Sequence, residues 1–263
     1  MTLMYWLDTR AYSSFEGKAP MTLLVGLRGH DGLVVAADSR GTFGDPRGLT
    51  AQNDSQKKLY ITSKYSAVLL AGSGELGASL MEAVLKEIQG SEGVTPIMEK
   101  TRLVLRQKYA EMFSGFAIQQ LPGLTIPVRP DVQLLLAGYD LDPSGKPTEQ
   151  RIFQLLSQLD FAPMLHNYGF GLVGVAQYAL YLLNRLYENG SSIEHLKALA
   201  AYVISETASQ DGKVGGKIRL ATITPKDGAV ELSELDIERI IVENSIRNSS
   251  LKDSFFKIGE KKK

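Results

Sequence analysis

The sequence predicts an α+β domain of layered antiparallel sheets, and three features predict it. Val- and Leu-rich runs of strand length open the chain after residue 21; residues 75 to 114 switch to helical spacing with no strand inside them; strands, two more helices and a final strand pair then follow. Strands and helices are thus segregated in blocks, which argues against alternating βαβ units.

The elements follow in order. Residues 22 to 38 hold two apolar runs, "TLLVGLRG" and "LVVAAD", around Asp31-Gly32, a pair suited to a hairpin turn. A polar loop is expected from 41 to 56, and "KKLYITSKYSAVLLAGSG" gives a second strand pair around Ser63-Lys64. Leu76, Leu80, Ala83, Val84 and Ile88, then Met98, Leu103, Leu105, Tyr109 and Met112, recur at helical spacing on either side of "GSEGVTP". "DVQLLLAGYD" and "RIFQLLSQ" read as strands joined by the turn "LDPSGKPTEQ". Helices are expected at about 175 to 188 and 192 to 209, and "KIRLATIT" with "AVELSEL" closes the pattern as a hairpin at Asp227-Gly228. Three segments result: an N-terminal extension over 1–21, one domain over 22–245 and a tail over 246–263, whose "IGEKKK" reads as a solvated end.

Composition bounds the function. Hydrophobic residues make up 44% of the 263, enough for a sizeable core. Lys+Arg and Asp+Glu are both 29, so no net charge draws the chain to nucleic acid or an anionic membrane. The absence of cysteine removes disulfides, thiolate metal sites and a cysteine nucleophile, and sets cytoplasm as the default. No apolar run approaches the ~18 residues of a membrane span, and Asp8 and Arg10 interrupt any secretory h-region in the first twenty residues.

Several motifs compete for the site. Gly72, Gly74 and Gly77 form G-x-G-x-x-G between a strand and a helix, yet a second helix follows where a dinucleotide fold needs a parallel strand. What that turn retains is a set of backbone N–H groups able to hold developing negative charge; a phosphate-binding module is the weakest reading of it. His30, His166 and His195 show no zinc spacing, and no G-x-S-x-G occurs, so neither a metal nor a Ser-His-Asp triad is expected. A hydroxyl nucleophile would then need a base other than histidine, and a free α-amino group is one. Thr22, read alone, is an ordinary β-branched residue opening a strand. Asp38 at the end of the partner strand and Lys58 at the start of the next pair change that reading: a lysine near the hydroxyl lowers its pKa, and an aspartate keeps the lysine charged.

At these residues the sequence resembles the proteasome β-subunit family of N-terminal-nucleophile hydrolases, including bacterial proteasome-like and HslV-type members. The matching stretches are "TLLVGLRGHDGLVVAADSRGT", "KKLY", "AVLLAGSGELGASL" and "QDGKVGGKIRLATITPKDG". The resemblance implies a four-layer αββα sandwich with two antiparallel sheets, and a threonine peptidase or related amide hydrolase without cofactor or metal. It implies Thr22 as N-terminal nucleophile, Asp38 and Lys58 as its charge partners, Arg40 as support, Gly72 as oxyanion-hole N–H, and Asp211 as the acidic residue that holds the site from the C-terminal part. It also implies a peptide or protein substrate and self-assembly into a ring or stacked oligomer through helix faces such as 76 to 91, and leaves room for a regulatory or unfoldase partner. The sequence departs from the family at two supporting serines. No serine or threonine occurs from 158 to 190, where Val173 or Gly174 takes the place of one, and Val214 takes the place of the other. Met21, not Gly, precedes the threonine, so residues 1–21 are either a propeptide or lie before a true start at Met21; the second needs no self-processing and is preferred. The competing function is a non-catalytic structural subunit of a proteasome-like assembly.

Overall fold

A computed structural model describes residues 22–44, 50–114 and 129–256. Two five-stranded antiparallel sheets form the centre. The first has the order β10-β1-β2-β11-β12, from β1 (Leu23–Arg28), β2 (Leu33–Ala37), β10 (Phe170–Gly174), β11 (Arg219–Thr224) and β12 (Gly228–Glu231). The second has the order β5-β6-β7-β8-β9, from β5 (Leu59–Ser63), β6 (Ser66–Gly72), β7 (Val132–Leu141), β8 (Pro147–Leu156) and β9 (Met164–Leu165). Helices α1 (Gly74–Glu87) and α2 (Val94–Phe113) cover the second sheet; α3 (Ala176–Leu186) and α4 (Ile193–Gln210) cover the first, with α5 (Glu234–Phe256) outside α4.

Strand alternation explains the layering. In β7, Val132, Leu134 and Leu136 enter the core under α1 and α2, whereas Leu135, Ala137 and Tyr139 enter the core between the sheets. In β1, Leu23, Val25 and Leu27 face α3 and α4, and Leu24 faces the other sheet. Both faces of these strands are buried, which is why they read as continuous apolar runs. Three cores separate four layers, in agreement with the αββα expectation; truncating Leu135 to Ala would cost about 2–5 kcal/mol. The helices bury one stripe each, as with Gly77, Leu80, Met81 and Val84 of α1.

Four features depart from the expectations. The polar stretch 41–56 contains a two-stranded ribbon, β3 (Gly41–Gly44) with β4 (Thr50–Asn53). The first hairpin closes over the longer Gly29–Gly32 loop, and Asp31 Oδ1 accepts the Ile193 N–H at the start of α4 (2.8 Å) instead of shaping a tight turn. β10 pairs with β1 where no strand was read. Lastly, α5 follows the final hairpin, and the boundary drawn at 245 falls inside it; "IGEKKK" lies outside the described residues. Ser233 Oγ accepts the Asp236 N–H (3.2 Å) and donates to Asp236 Oδ2 (2.6 Å), a cap that starts this helix. Among the described residues no helix is long and apolar enough to cross a membrane.

Candidate active site

Strand register builds the site. Leu24 pairs with Ala37, so one step further the antiparallel ladder sets Leu23 beside Asp38. Asp38 N–H donates to Leu23 O (3.3 Å), and Leu23 N–H donates back to Asp38 Oδ1 (3.0 Å). Thr22 therefore heads β1 directly next to Asp38. Lys58 comes from the other sheet, just before β5, and its carbonyl accepts Leu70 N–H of β6 (2.9 Å). The site thus sits where the ends of the two sheets meet.

Thr22, Asp38 and Lys58 are 4%, 0% and 2% exposed. A buried ammonium is costly unless its donors are satisfied. Lys58 Nζ has three acceptors: Thr22 Oγ1 at 2.5 Å, Arg40 O at 2.6 Å and Asp38 Oδ1 at 2.9 Å. Burial nevertheless pushes the Lys58 amine below its ordinary 10.5, with Asp38 opposing the fall. Asp38 is saturated as well, because Oδ2 accepts Gly215 N–H (3.1 Å) and Arg40 N–H (3.2 Å).

Arg40 forks onto Asp54, Nε to Oδ1 at 2.7 Å and Nη2 to Oδ2 at 2.9 Å, and its Nη1 donates to Gly212 O (3.1 Å). It ties the ribbon to the 212–215 turn and presents its own carbonyl to Lys58. Asp211 ends α4; its Oδ1 accepts Lys213 N–H (2.9 Å) and its carbonyl accepts Val214 N–H (3.0 Å). Among the described residues its carboxyl makes no hydrogen bond to Thr22, Asp38 or Lys58, so its connection to them runs through the turn that delivers Gly215 N–H.

Gly72 ends β6 with φ +108°, and Asp131 O lies where a Cβ would sit. Ser73 N–H donates to the same carbonyl (2.8 Å). Gly72, Ser73 and Gln56 line one cleft with Thr22 and Lys58, with space of about 10 Å³, the room of a single water. Val173 and Gly174, one of which takes the place of a family serine, end β10: Val173 is buried, and Gly174 has φ +98°, where a Cβ would collide with Thr22 O, which accepts Val175 N–H (2.8 Å). Val214 is fully buried in the core under α3 and α4.

The structure brings together Thr22, Asp38 and Lys58, singled out from the sequence, with Arg40 and Gly72, which the resemblance adds. Asp54, Gly215 and Val175 were not anticipated: two of the three act through backbone N–H groups, which no side-chain pattern marks. His30 binds Gly190 O (2.9 Å) and His166 meets Gln154 Oε1 (3.2 Å), both away from Thr22. Among the described residues no group of three His, Cys, Asp or Glu side chains is placed to hold a metal.

No family model matches the sequence. A proteasome subunit beta from Gordonia bronchialis is 29% identical over 241 residues, which cover 84% of this chain and 75% of the relative. The proteasome subunit beta of Methanopyrus kandleri is 26% identical over 229 residues, covering 84% of this chain and 95% of that one. Among solved structures, the Anbu (Gly-1) mutant from Hyphomicrobium sp. strain MC1 superposes with a TM-score of 0.63 over 92% of this chain and 100% of its own, at 17% identity, a likeness of fold. The chain is a distant homologue of proteasome β subunits over most of its length, built on the proteasome-like N-terminal-nucleophile hydrolase fold.

Proposed function

We propose that the chain is a threonine-type peptidase or related amide hydrolase with Thr22 as nucleophile. The observation that carries this reading is the buried hydrogen-bond chain from Thr22 Oγ1 through Lys58 Nζ to Asp38. With residues 1–21 removed, the Thr22 amine has a reference pKa of ~7.7–8.0 and takes the hydroxyl proton as Oγ1 attacks the amide carbonyl. Lys58, charged and held by Asp38, lowers the hydroxyl pKa by proximity. The carbonyl π electrons move to oxygen, which Gly72 N–H receives; the proton passes to the leaving amine, and water hydrolyses the Thr22 ester. Arg40 and Asp211 position this group, Arg40 through its carbonyl and Asp54, Asp211 through the turn that presents Gly215.

A second reading, a structural subunit without chemistry, is favoured by Val173 or Gly174 and by Val214, which stand where the family's supporting hydroxyls are absent. Self-assembly belongs to both readings. Among the described residues, exposed apolar side chains available for it lie on α3, at Tyr178, Leu180, Tyr181 and Leu186, and on α5, at Leu235, Val242, Ile246, Leu251, Phe255 and Phe256, whereas the outer face of α1 carries Glu75, Glu82, Lys86 and Glu87. A cytoplasmic setting, a peptide substrate and room for a regulator complete the proposal.

Intact mass and N-terminal sequencing, with a peptide boronate as probe of Thr22, test it. The expected result is a chain beginning at Thr22 that binds the boronate, and a Thr22→Ala variant that does not. A chain that keeps Met1 or begins at Met21, and ignores the boronate, hands the molecule to the structural reading.

A further inference from the structure

We propose that Ser73 is a second catalytic residue, its hydroxyl donating to the oxyanion beside the Gly72 N–H. The inference rests on the Thr22 reading and deepens it. Ser73 is the N-cap of α1, a position where a serine hydroxyl normally accepts an amide of the first turn. Here it makes no such bond, and among the described residues its Oγ has no protein partner. A residue type that suits its position but withholds the usual contact is expected at functional sites.

Its surroundings give the hydroxyl an alternative task. Ser73 is half-buried and lines the cleft of Thr22 and Lys58; of the side chains lining that cleft, only Thr22 and Ser73 bear hydroxyls. The backbone beneath it is fixed, since Ser73 N–H is committed to Asp131 O and Gly72 is wedged against the same carbonyl. That leaves the N–H of Ser73 out of the reaction and its side chain free to turn toward the cleft. The opposite wall offers no such group, because Gly174 has no side chain and Val214 is in the core. Ser73 supplies a hydroxyl from the oxyanion side. It forms and breaks no covalent bond: its O–H donates as the carbonyl oxygen gains charge and relaxes when the carbonyl re-forms.

The test compares wild type, Ser73→Ala and Ser73→Thr in hydrolysis of a fluorogenic peptide amide and in affinity for a peptide boronate. Ser73→Ala is expected to lower kcat about 10²-fold with KM within about twofold, and to weaken boronate binding in parallel. Ser73→Thr, which keeps the hydroxyl, restores kcat, and thermal midpoints of all three coincide. A Ser73→Ala enzyme with wild-type kcat overturns the proposal while leaving Thr22 in place. A wild type that neither turns over nor binds the boronate removes the Thr22 reading, and the Ser73 assignment falls with it.

Discussion

The two walls around Thr22 are built from different materials. The wall of Asp38, Arg40 and Lys58 is polar and saturated: every Nζ donor and both Asp38 oxygens have partners, and Asp38 and Lys58 are buried while Arg40 reaches partly into solvent to Asp54. The wall of Val173–Val175 and Val214–Gly215 contributes only backbone N–H groups, from Val175 to Thr22 O and from Gly215 to Asp38. One side carries charge and the other fixes position. Loss of side-chain hydroxyls from the positioning wall is therefore compatible with an intact charged wall.

Substitutions on each wall should fail in different ways. The largest effect is expected for Lys58→Met, which removes the link to Thr22 and leaves Asp38 buried and unpaired. Boronate binding should vanish and denaturant titration should show a loss of about 3–5 kcal/mol; retained binding would move the nucleophile's activation elsewhere. Gly174→Ala comes next. It forces φ +98° on an L side chain and drives a Cβ into Thr22 O. Strain of about 1–3 kcal/mol plus a displaced Thr22 should lower both the thermal midpoint and the labelling rate. An unchanged labelling rate would show that this wall does not set the nucleophile's position.

Val214→Ser separates family resemblance from local need. It buries a hydroxyl in an apolar core at about 1–3 kcal/mol and should lower stability without raising hydrolysis, measured on the same preparation. A gain in rate would mean that the missing serine limits the enzyme. The smallest effect is a pH dependence. Burial depresses Lys58, so above its ordinary 10.5 the amine is neutral folded and unfolded, and its contribution to stability is fully present. As pH falls below 10.5 the unfolded chain takes the proton first, and that contribution is lost down to the lowered folded value. Denaturation between pH 8 and 11 should show wild-type stability rising with pH relative to Lys58→Met; the opposite slope would mean that the pairing, not burial, dominates.

The polar wall was legible in the sequence because its chemistry lies in side chains at the ends of strongly patterned strands. Thr22, Asp38 and Lys58 could be picked out together, and the apolar runs around Asp31-Gly32 and Ser63-Lys64 set the three at or beside strand ends. The positioning wall was not legible. β10 carries Gly171, set against Ile152 and His166 where a Cβ would crowd them, so its sequence reads as a glycine-rich loop rather than a strand. Its gift to Thr22 is a main-chain N–H that any residue could offer. The ribbon of β3 and β4 is polar, and α5 buries only Ile237 and Asn244, too thin an apolar stripe to stand out by periodicity, although Ser233 and Asp236 mark its start.

Bonds from both walls fasten Thr22. Its carbonyl is held by Val175, its successor's amide by Asp38, and its hydroxyl by Lys58. None of these bonds involves the peptide link to residue 21. Cutting that link would therefore change what the residue is, from an internal amide to a free amine, without changing its address in the fold. If Thr22 is the nucleophile proposed above, the pocket can be complete before its amine is released, and folding and activation would be separable events.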